Sequence, residues 1–200
     1  LMQGLADGYF VLPYTIQEYL ADQFNVEKIS TDTSEFKDAE KAVKDHVDKL
    51  MNVKGKKSVD TLHRELGKIM WKYVGMAREG KELEKAISEL KELKKEFWQN
   101  VEVPGVVDGI NVELEKANRV ADFIELGLLM AQDALNREES CGGHYRLEYQ
   151  TPEGEALRKD DEFMYVAVWE YKGEDQDPEL HKEQLVFEET EVKTRNYKTA

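Results

Sequence analysis

The densest polar constellation in the sequence is the run Arg137-Glu138-Glu139-Ser140-Cys141-Gly142-Gly143-His144-Tyr145-Arg146. A thiol and an imidazole this close in sequence can form a nucleophile–base pair, and Ser140, Cys141 and His144 invite that reading. Nothing around them marks an oxyanion hole, so the hydrolase reading is set below a plainer one. Arg137, Glu139, His144 and Arg146 read as an ion-pair and hydrogen-bond network within a loop. Cys141 is the only cysteine, which rules out an intrachain disulfide and any Cys-based zinc or iron–sulfur site built by this chain alone. It also fits a reducing compartment. Of the other histidines, His46 lies beside an apolar stripe and His63 adjoins Leu62, so both read as partly buried packing residues. Asp45, His46 and Asp48 superficially suggest a metal site but lack HExxH-like spacing. Tyr165, Trp169 and Tyr171 alternate as an aromatic set, which fits core packing better than a binding platform. No catalytic residue and no metal ligand is expected.

Composition narrows the function further. The 200 residues carry a formal charge of −14, which disfavours free nucleic acid as a partner, because phosphate binding needs clustered Lys and Arg. Anionic lipid would also be repelled. No stretch reaches the 18 or more apolar residues of a membrane helix: Val120 to Ala131 is broken by Asp122 and Glu125. Direct membrane insertion is therefore not expected. No signal peptide is visible. The chain starts at Leu1 in residues that already read as mid-helix, so a fragment is expected.

The elements that must position the polar run are mostly helical. A first helix over 1–22 is disturbed at Pro13, and Gly4 and Gly8 leave one narrow face on it. Residues 25–33 form a linker. A second helix, 34–53, carries Phe36, Ala39, Val43, Val47, Leu50 and Met51 as its apolar stripe. A third, 58–75, presents Val59, Leu62, Leu66, Ile69, Met70 and Tyr73. A fourth, 81–100, presents Leu83, Ile87, Leu90, Lys94 and Phe97 and is stopped by Pro104 and Gly105. A fifth, 112–135, has the widest apolar face and is expected at the centre of the bundle. Beyond Asn136 the period shortens to that of strands. Strands are expected at 163–171, with both faces partly covered, and at 185–194. The fold class is mainly α: an antiparallel helical bundle, helices two to five, with a small C-terminal β-ribbon.

Three stretches carry a family resemblance. Leu1-Met2-Gln3-Gly4-Leu5-Ala6-Asp7-Gly8 resembles the helix that follows the flavin-contacting Arg-Leu-Gly loop of the succinate dehydrogenase/fumarate reductase flavoprotein subunit. Trp71 to Gly80 resembles a bundle turn of the same family. The run Arg137 to Arg146, followed by Asp160-Asp161-Glu162-Phe163, resembles its Arg-x-Glu-Ser-Arg-Gly-x-His segment and Asp-Asp pair. Cys141 stands where many members have Arg. The overall similarity is nearest to the branch with a di-haem membrane anchor.

The resemblance implies a parent subunit that binds FAD, interconverts succinate and fumarate, and passes electrons to an iron–sulfur subunit and quinone. Its dicarboxylate-clamping and proton-donating residues would lie upstream of Leu1. It implies residues 1–25 as a remnant helix of an upstream FAD-binding domain, 26–136 as the helical bundle, and 137–200 as a loop and β-ribbon extension. Expected partners are the upstream flavin-binding domain, the iron–sulfur subunit and the membrane anchor. The expected location is cytoplasmic, at the inner membrane face through the complex. The first helix would aim its N-terminus at the flavin, which makes Leu1 and Met2 candidate cofactor contacts in the parent; in the fragment no cofactor is expected. The network of Arg137, Glu139, His144 and Arg146 either fixes the bundle against the flavin domain or stabilises its own loop. A different class stays open: an independent helical interaction module with an acidic face.

Overall fold

Pro13 has no amide hydrogen to donate, and the chain accommodates it by widening the turn before it. The first helix, α1 (Met2–Ala6), passes into a π-helical turn, Asp7–Val11, in which the Leu12 N–H reaches the Asp7 carbonyl. The next helix, α2 (Leu12–Tyr19), then starts with Pro13 in its first turn, where a missing donor costs little. The helix expected over 1–22 is thus three joined segments that end at Tyr19. The computed structural model describes residues 2–173 and 176–193. These divide into two compact units, one ending at Asp45 and the other beginning at His46. In the first unit no residue of α1 or α2 is buried.

Helix α3 (Ser34–Val53) has the bounds that its periodicity predicts, but most of its stripe stays in solvent. Phe36 is 48% and Val43 65% exposed, and Leu50 is the one buried residue of the helix. The buried core lies within the second unit. It is built by α4 (Val59–Tyr73), α5 (Gly80–Asn100) and α6 (Val112–Asn136), joined by Leu50 from the C-terminal end of α3. Leu62 and Leu66 of α4, Leu83, Ala86, Leu90 and Phe97 of α5, and Val120, Ile124 and Ala131 of α6 are all buried in it. Each of these three helices packs against the other two, so α6 is not central despite its wide apolar face, and Leu126 and Met130 on it are half exposed. Gly127 lets α6 approach α4 closely: a Cβ there would stand 3.1 Å from Met70 Sδ.

A feature with no sequence signal fixes the orientation of two helices. Strand β1 (Lys57–Ser58) pairs in parallel with β2 (Val101–Glu102). Since β1 runs into α4 and β2 runs out of α5, the start of α4 lies beside the end of α5, and the two helices are antiparallel. Ser58 caps α4, its hydroxyl accepting from the Thr61 N–H at 3.3 Å. The Gly55 N–H donates to the Val101 carbonyl at 3.0 Å and the Lys56 N–H to the Asn100 carbonyl at 3.0 Å. The approach is too close for a side chain, because a Cβ at Gly55 would lie 1.9 Å from the Asn100 carbonyl oxygen. This pairing follows the end of α5 at Asn100, the residue at which the sequence pattern also ends the helix.

The ribbon differs from expectation in register. Asp160–Phe163 forms a short helix, α7, so Phe163 precedes the strand β3 (Tyr165–Glu170). Its partner is β4 (Glu179–Gln184), antiparallel, with Tyr165 opposite Gln184 and Glu170 opposite Glu179. Leu185, Val186 and Phe187, in the segment expected to be the second strand, lie past the end of β4. The Leu185 N–H still donates to the Met164 carbonyl at 3.2 Å, one residue beyond the ladder. The inward residues Tyr165, Ala167 and Trp169 follow the expected alternation, but Val166 and Val168 are about half exposed, so the other face is open.

Candidate functional site

The polar run folds into a tight hairpin against the end of the bundle. Cys141 and His144 exchange both backbone hydrogen bonds, at 2.9 and 3.0 Å. Gly142 sits at a φ of 59°, in the left-handed region that favours glycine. The backbone of Arg78, in the link between α4 and α5, then pairs with the returning strand: its N–H donates to the Tyr145 carbonyl at 3.0 Å and its carbonyl accepts from Leu147 at 2.8 Å.

Three helix ends meet here, each with a side chain of suitable charge. Arg146, 3% exposed, sends Nη1 to the Ala134 and Leu135 carbonyls at the C-terminus of α6, at 2.9 and 3.2 Å. Its Nε and Nη2 grip the Glu148 carboxylate at 3.2 and 3.1 Å. Glu148 in turn accepts the Gly80 N–H that opens α5. Arg78 Nε donates to the Val74 and Gly75 carbonyls just past α4, at 3.1 and 3.2 Å. Cations at the ends of α4 and α6 and an anion at the start of α5 each complement a helix dipole. Gly80 is held small by the same contact, since a Cβ there would stand 2.9 Å from Arg146 Nη2.

His144 completes the latch. Its Nε2 lies 2.8 Å from the Arg137 carbonyl and must donate to it. Its Nδ1, 2.8 Å from Arg78 Nη1, must then accept, which fixes the neutral tautomer. Arg137 pairs with the buried Glu139 at 3.1 Å and donates to the Tyr165 carbonyl at 2.8 Å. Glu139 also accepts the Lys159 N–H at 3.1 Å. Ser140 Oγ accepts the Arg146 N–H at 2.8 Å and donates to the Arg146 carbonyl at 3.2 Å.

The electrostatics follow from this packing. Burial lowers the proton affinity of His144, and the charges of Arg78, Arg146 and Arg137 reinforce it, against the Arg137 carbonyl bond that favours the cation. For Glu148, burial alone would raise the pKa, but Arg146 and the Gly80 N–H outweigh it and hold the carboxyl at about 2. Both groups have folded values below their unfolded ones, so both stabilise the fold at neutral pH and cease to do so in acid. The urea midpoint is expected to fall first as pH drops below about 6.5, where the unfolded chain takes up the histidine proton. A second fall is expected between about 4.5 and about 2, from Glu148. His144→Gln should flatten the first step and spare the second; an unchanged first step in that variant refutes the assignment.

The four residues read from the sequence as a network, Arg137, Glu139, His144 and Arg146, are thus brought together. Arg78, Ser140 and Glu148 belong with them and were not among the expected members, although Arg78 lies in the Trp71 to Gly80 stretch that carries the family resemblance. Both ring nitrogens of His144 are engaged away from the thiol, so it does not serve Cys141 as a base. Tyr165 is buried beneath Arg137, 5.0 Å over its ring, and Trp169 Nε1 donates to Asp133 at 2.8 Å. Tyr171 is 72% exposed, so the three aromatics do not form one platform. His46 stands edge-on to Trp98 at 5.8 Å and His63 beside Phe123 at 5.8 Å. Leu1 lies outside the described residues. Met2 is 77% exposed.

Fold and loop together define an α-helical scaffold whose end is locked by a buried polar latch. A family model described as the fumarate reductase flavoprotein C-terminus matches residues 63–197, and the chain belongs to that family. It is 30% identical to the fumarate reductase flavoprotein subunit of Helicobacter pylori (strain J99) over 178 residues, which is 88% of this chain and 24% of that protein. The chain therefore spans about a quarter of the length of the curated relatives it matches. A solved quinol–fumarate reductase with menaquinol molecules aligns over 84% of this chain and 28% of that one, with a TM-score of 0.69 at 21% identity. The Sdh1 complex of Mycobacterium smegmatis in the apo form aligns over 74% of this chain and 25% of that one, with a TM-score of 0.59 at 28% identity.

Proposed function

We propose that this chain works as the structural and docking C-terminal part of an FAD-dependent flavoprotein subunit that interconverts succinate and fumarate. In that reading residues 1–25 are a helix of the upstream flavin-binding domain, 26–136 the bundle, and 137–200 the loop and ribbon extension. Its partners are the flavin domain, an iron–sulfur subunit and a membrane anchor, and it sits at the cytoplasmic face of the inner membrane through them. Among the described residues, no helix is long and apolar enough to cross a membrane.

The observation that carries the reading is how the arginines are used. Clamping a dicarboxylate needs cations that converge on open space. Arg78, Arg137 and Arg146 are turned instead onto carbonyls, His144, Glu139 and Glu148. FAD is implied for the parent subunit by the family. Met2 is apolar and solvent-facing, and α1 is five residues long. No step of the reaction is assigned to this chain; its residues hold the scaffold that the flavin domain rests on. The network around His144 fixes the bundle end in the orientation that domain needs. The alternative, an independent acidic interaction module, has only the solvated acids of α3 and α5 in its favour.

Flavin added to the purified chain is expected to stay free in equilibrium dialysis, with no succinate-dependent dye reduction. Stoichiometric yellow cofactor on these 200 residues would overturn the proposal.

A further inference from the structure

The register of the ribbon places Glu170 directly opposite Glu179, with His181 two residues further along the same face of β4. Two carboxylates facing each other across a strand pair repel. The chain relieves this with a cation: the Lys172 ammonium lies 3.1 Å from Glu170 and 2.9 Å from Glu179. The His181 ring adds a third group, with Nε2 2.8 Å from Glu170. One carboxylate oxygen from each glutamate and one ring nitrogen of His181 all lie within 4.8 Å of one another. The Lys172 ammonium thus bridges the two carboxylates, while His181 pairs with the second oxygen of Glu170.

We propose that Glu170, Glu179 and His181 bind a divalent transition-metal ion of the zinc type, which displaces the Lys172 ammonium and pins β3 to β4. An imidazole with two carboxylates selects zinc-class ions over magnesium and calcium, which prefer oxygen alone. The three side chains are exposed, so small rotations bring their atoms to the roughly 2.0–2.2 Å that zinc requires, and water completes the shell. The ribbon has reason to use such a pin. A two-stranded hairpin is marginal by itself, and β4 has only one residue, Leu180, that is even half-buried. The residues are remote in role from the latch around His144, so this site stands or falls separately from the proposed function.

The test is isothermal titration of zinc chloride into the whole chain, with magnesium chloride in parallel. One zinc ion per chain is expected, with magnesium at least ~10-fold weaker. His181→Ala should weaken zinc binding by at least ~10-fold, a loss typical even for a residue one shell further out. Lys172→Gln should tighten it, because the competing ammonium is gone. Both substituted positions are on the surface, so circular dichroism should be unchanged in the variants. Absence of saturable zinc binding overturns the proposal. So does binding that His181→Ala leaves intact, equal affinity for magnesium, or a Lys172→Gln variant that binds no more tightly.

Discussion

Arg146→Ala is expected to cost about 3–5 kcal/mol of unfolding free energy, the scale seen when one partner of a buried ion pair is removed. The size follows from what the truncation leaves behind. Glu148 would keep its charge at the start of α5 without its bidentate partner, and the Ala134 and Leu135 carbonyls would lose the donor that caps α6. Each orphaned buried acceptor carries its own penalty. Arg146→Lys should recover only part of the loss, because an ammonium is a point charge and cannot span two carbonyls and a carboxylate at once. Glu148→Gln should cost less than Arg146→Ala, since the amide oxygen still accepts from Gly80. In the double variant Arg146→Ala/Glu148→Gln the losses should be sub-additive, because the second change removes the stranded charge. Urea denaturation followed by Trp fluorescence measures all four. A loss below about 1 kcal/mol for Arg146→Ala, the size of an ordinary exposed pair, means that the latch does not hold the bundle end.

The contrast between α3 and Arg78 separates what periodicity can and cannot reveal. Apolar spacing located α3 to the residue, Ser34–Val53, because a 3.6-residue period is a local property of the chain. It also assigned Phe36 and Val43 to a buried stripe, and they are exposed. Amphipathicity says that a face is able to be buried, not that a neighbour arrives to bury it. The same limit hid β1 and β2, two residues each, whose pairing joins positions 44 apart and rests on Gly55 lacking a side chain. It also misplaced the second ribbon strand. Leu185 to Phe187 have the stronger strand composition, yet charged Glu179–Gln184 pairs with β3, because cross-strand neighbours decide register where one face is wet.

The site shows the same division. Arg137, Glu139, His144 and Arg146 were legible because they crowd into ten residues. Arg78 was not, since the imidazole it contacts lies 66 residues away. Charge alone named the loop members, but only the folded geometry reveals that the guanidinium groups serve carbonyls at helix ends and not an external anion. This distinction is also the one that matters for function. The arginines that cap α4 and α6 have donors engaged inside the fold, whereas arginines facing solvent would have them available to an anion.

Phe97→Ala should be equally costly, about 3–5 kcal/mol, and by a different route. Phe97 is fully buried in the last turns of α5, in the cluster that includes Leu50, Leu62 and Val101, with its ring edge-on to Trp98 at 5.2 Å. Truncation removes the apolar contact and leaves a cavity in a core that α4, α5 and α6 share, close to the end of α5 that the β1–β2 pairing ties to the start of α4. The site has little freedom to collapse, which puts the cost toward the upper end of that range. Phe97→Leu should recover more than half of it. The two variants differ in where the chain loosens. Arg146→Ala frees the 137–148 segment, so limited trypsin digestion should cut there first while the bundle survives. Phe97→Ala removes the core shared by α4, α5 and α6, so cleavage should spread through all three helices together. If both variants gave the same first cut in the loop, the latch and the core would be a single cooperative unit, and the loop would have no separate hold on the bundle end.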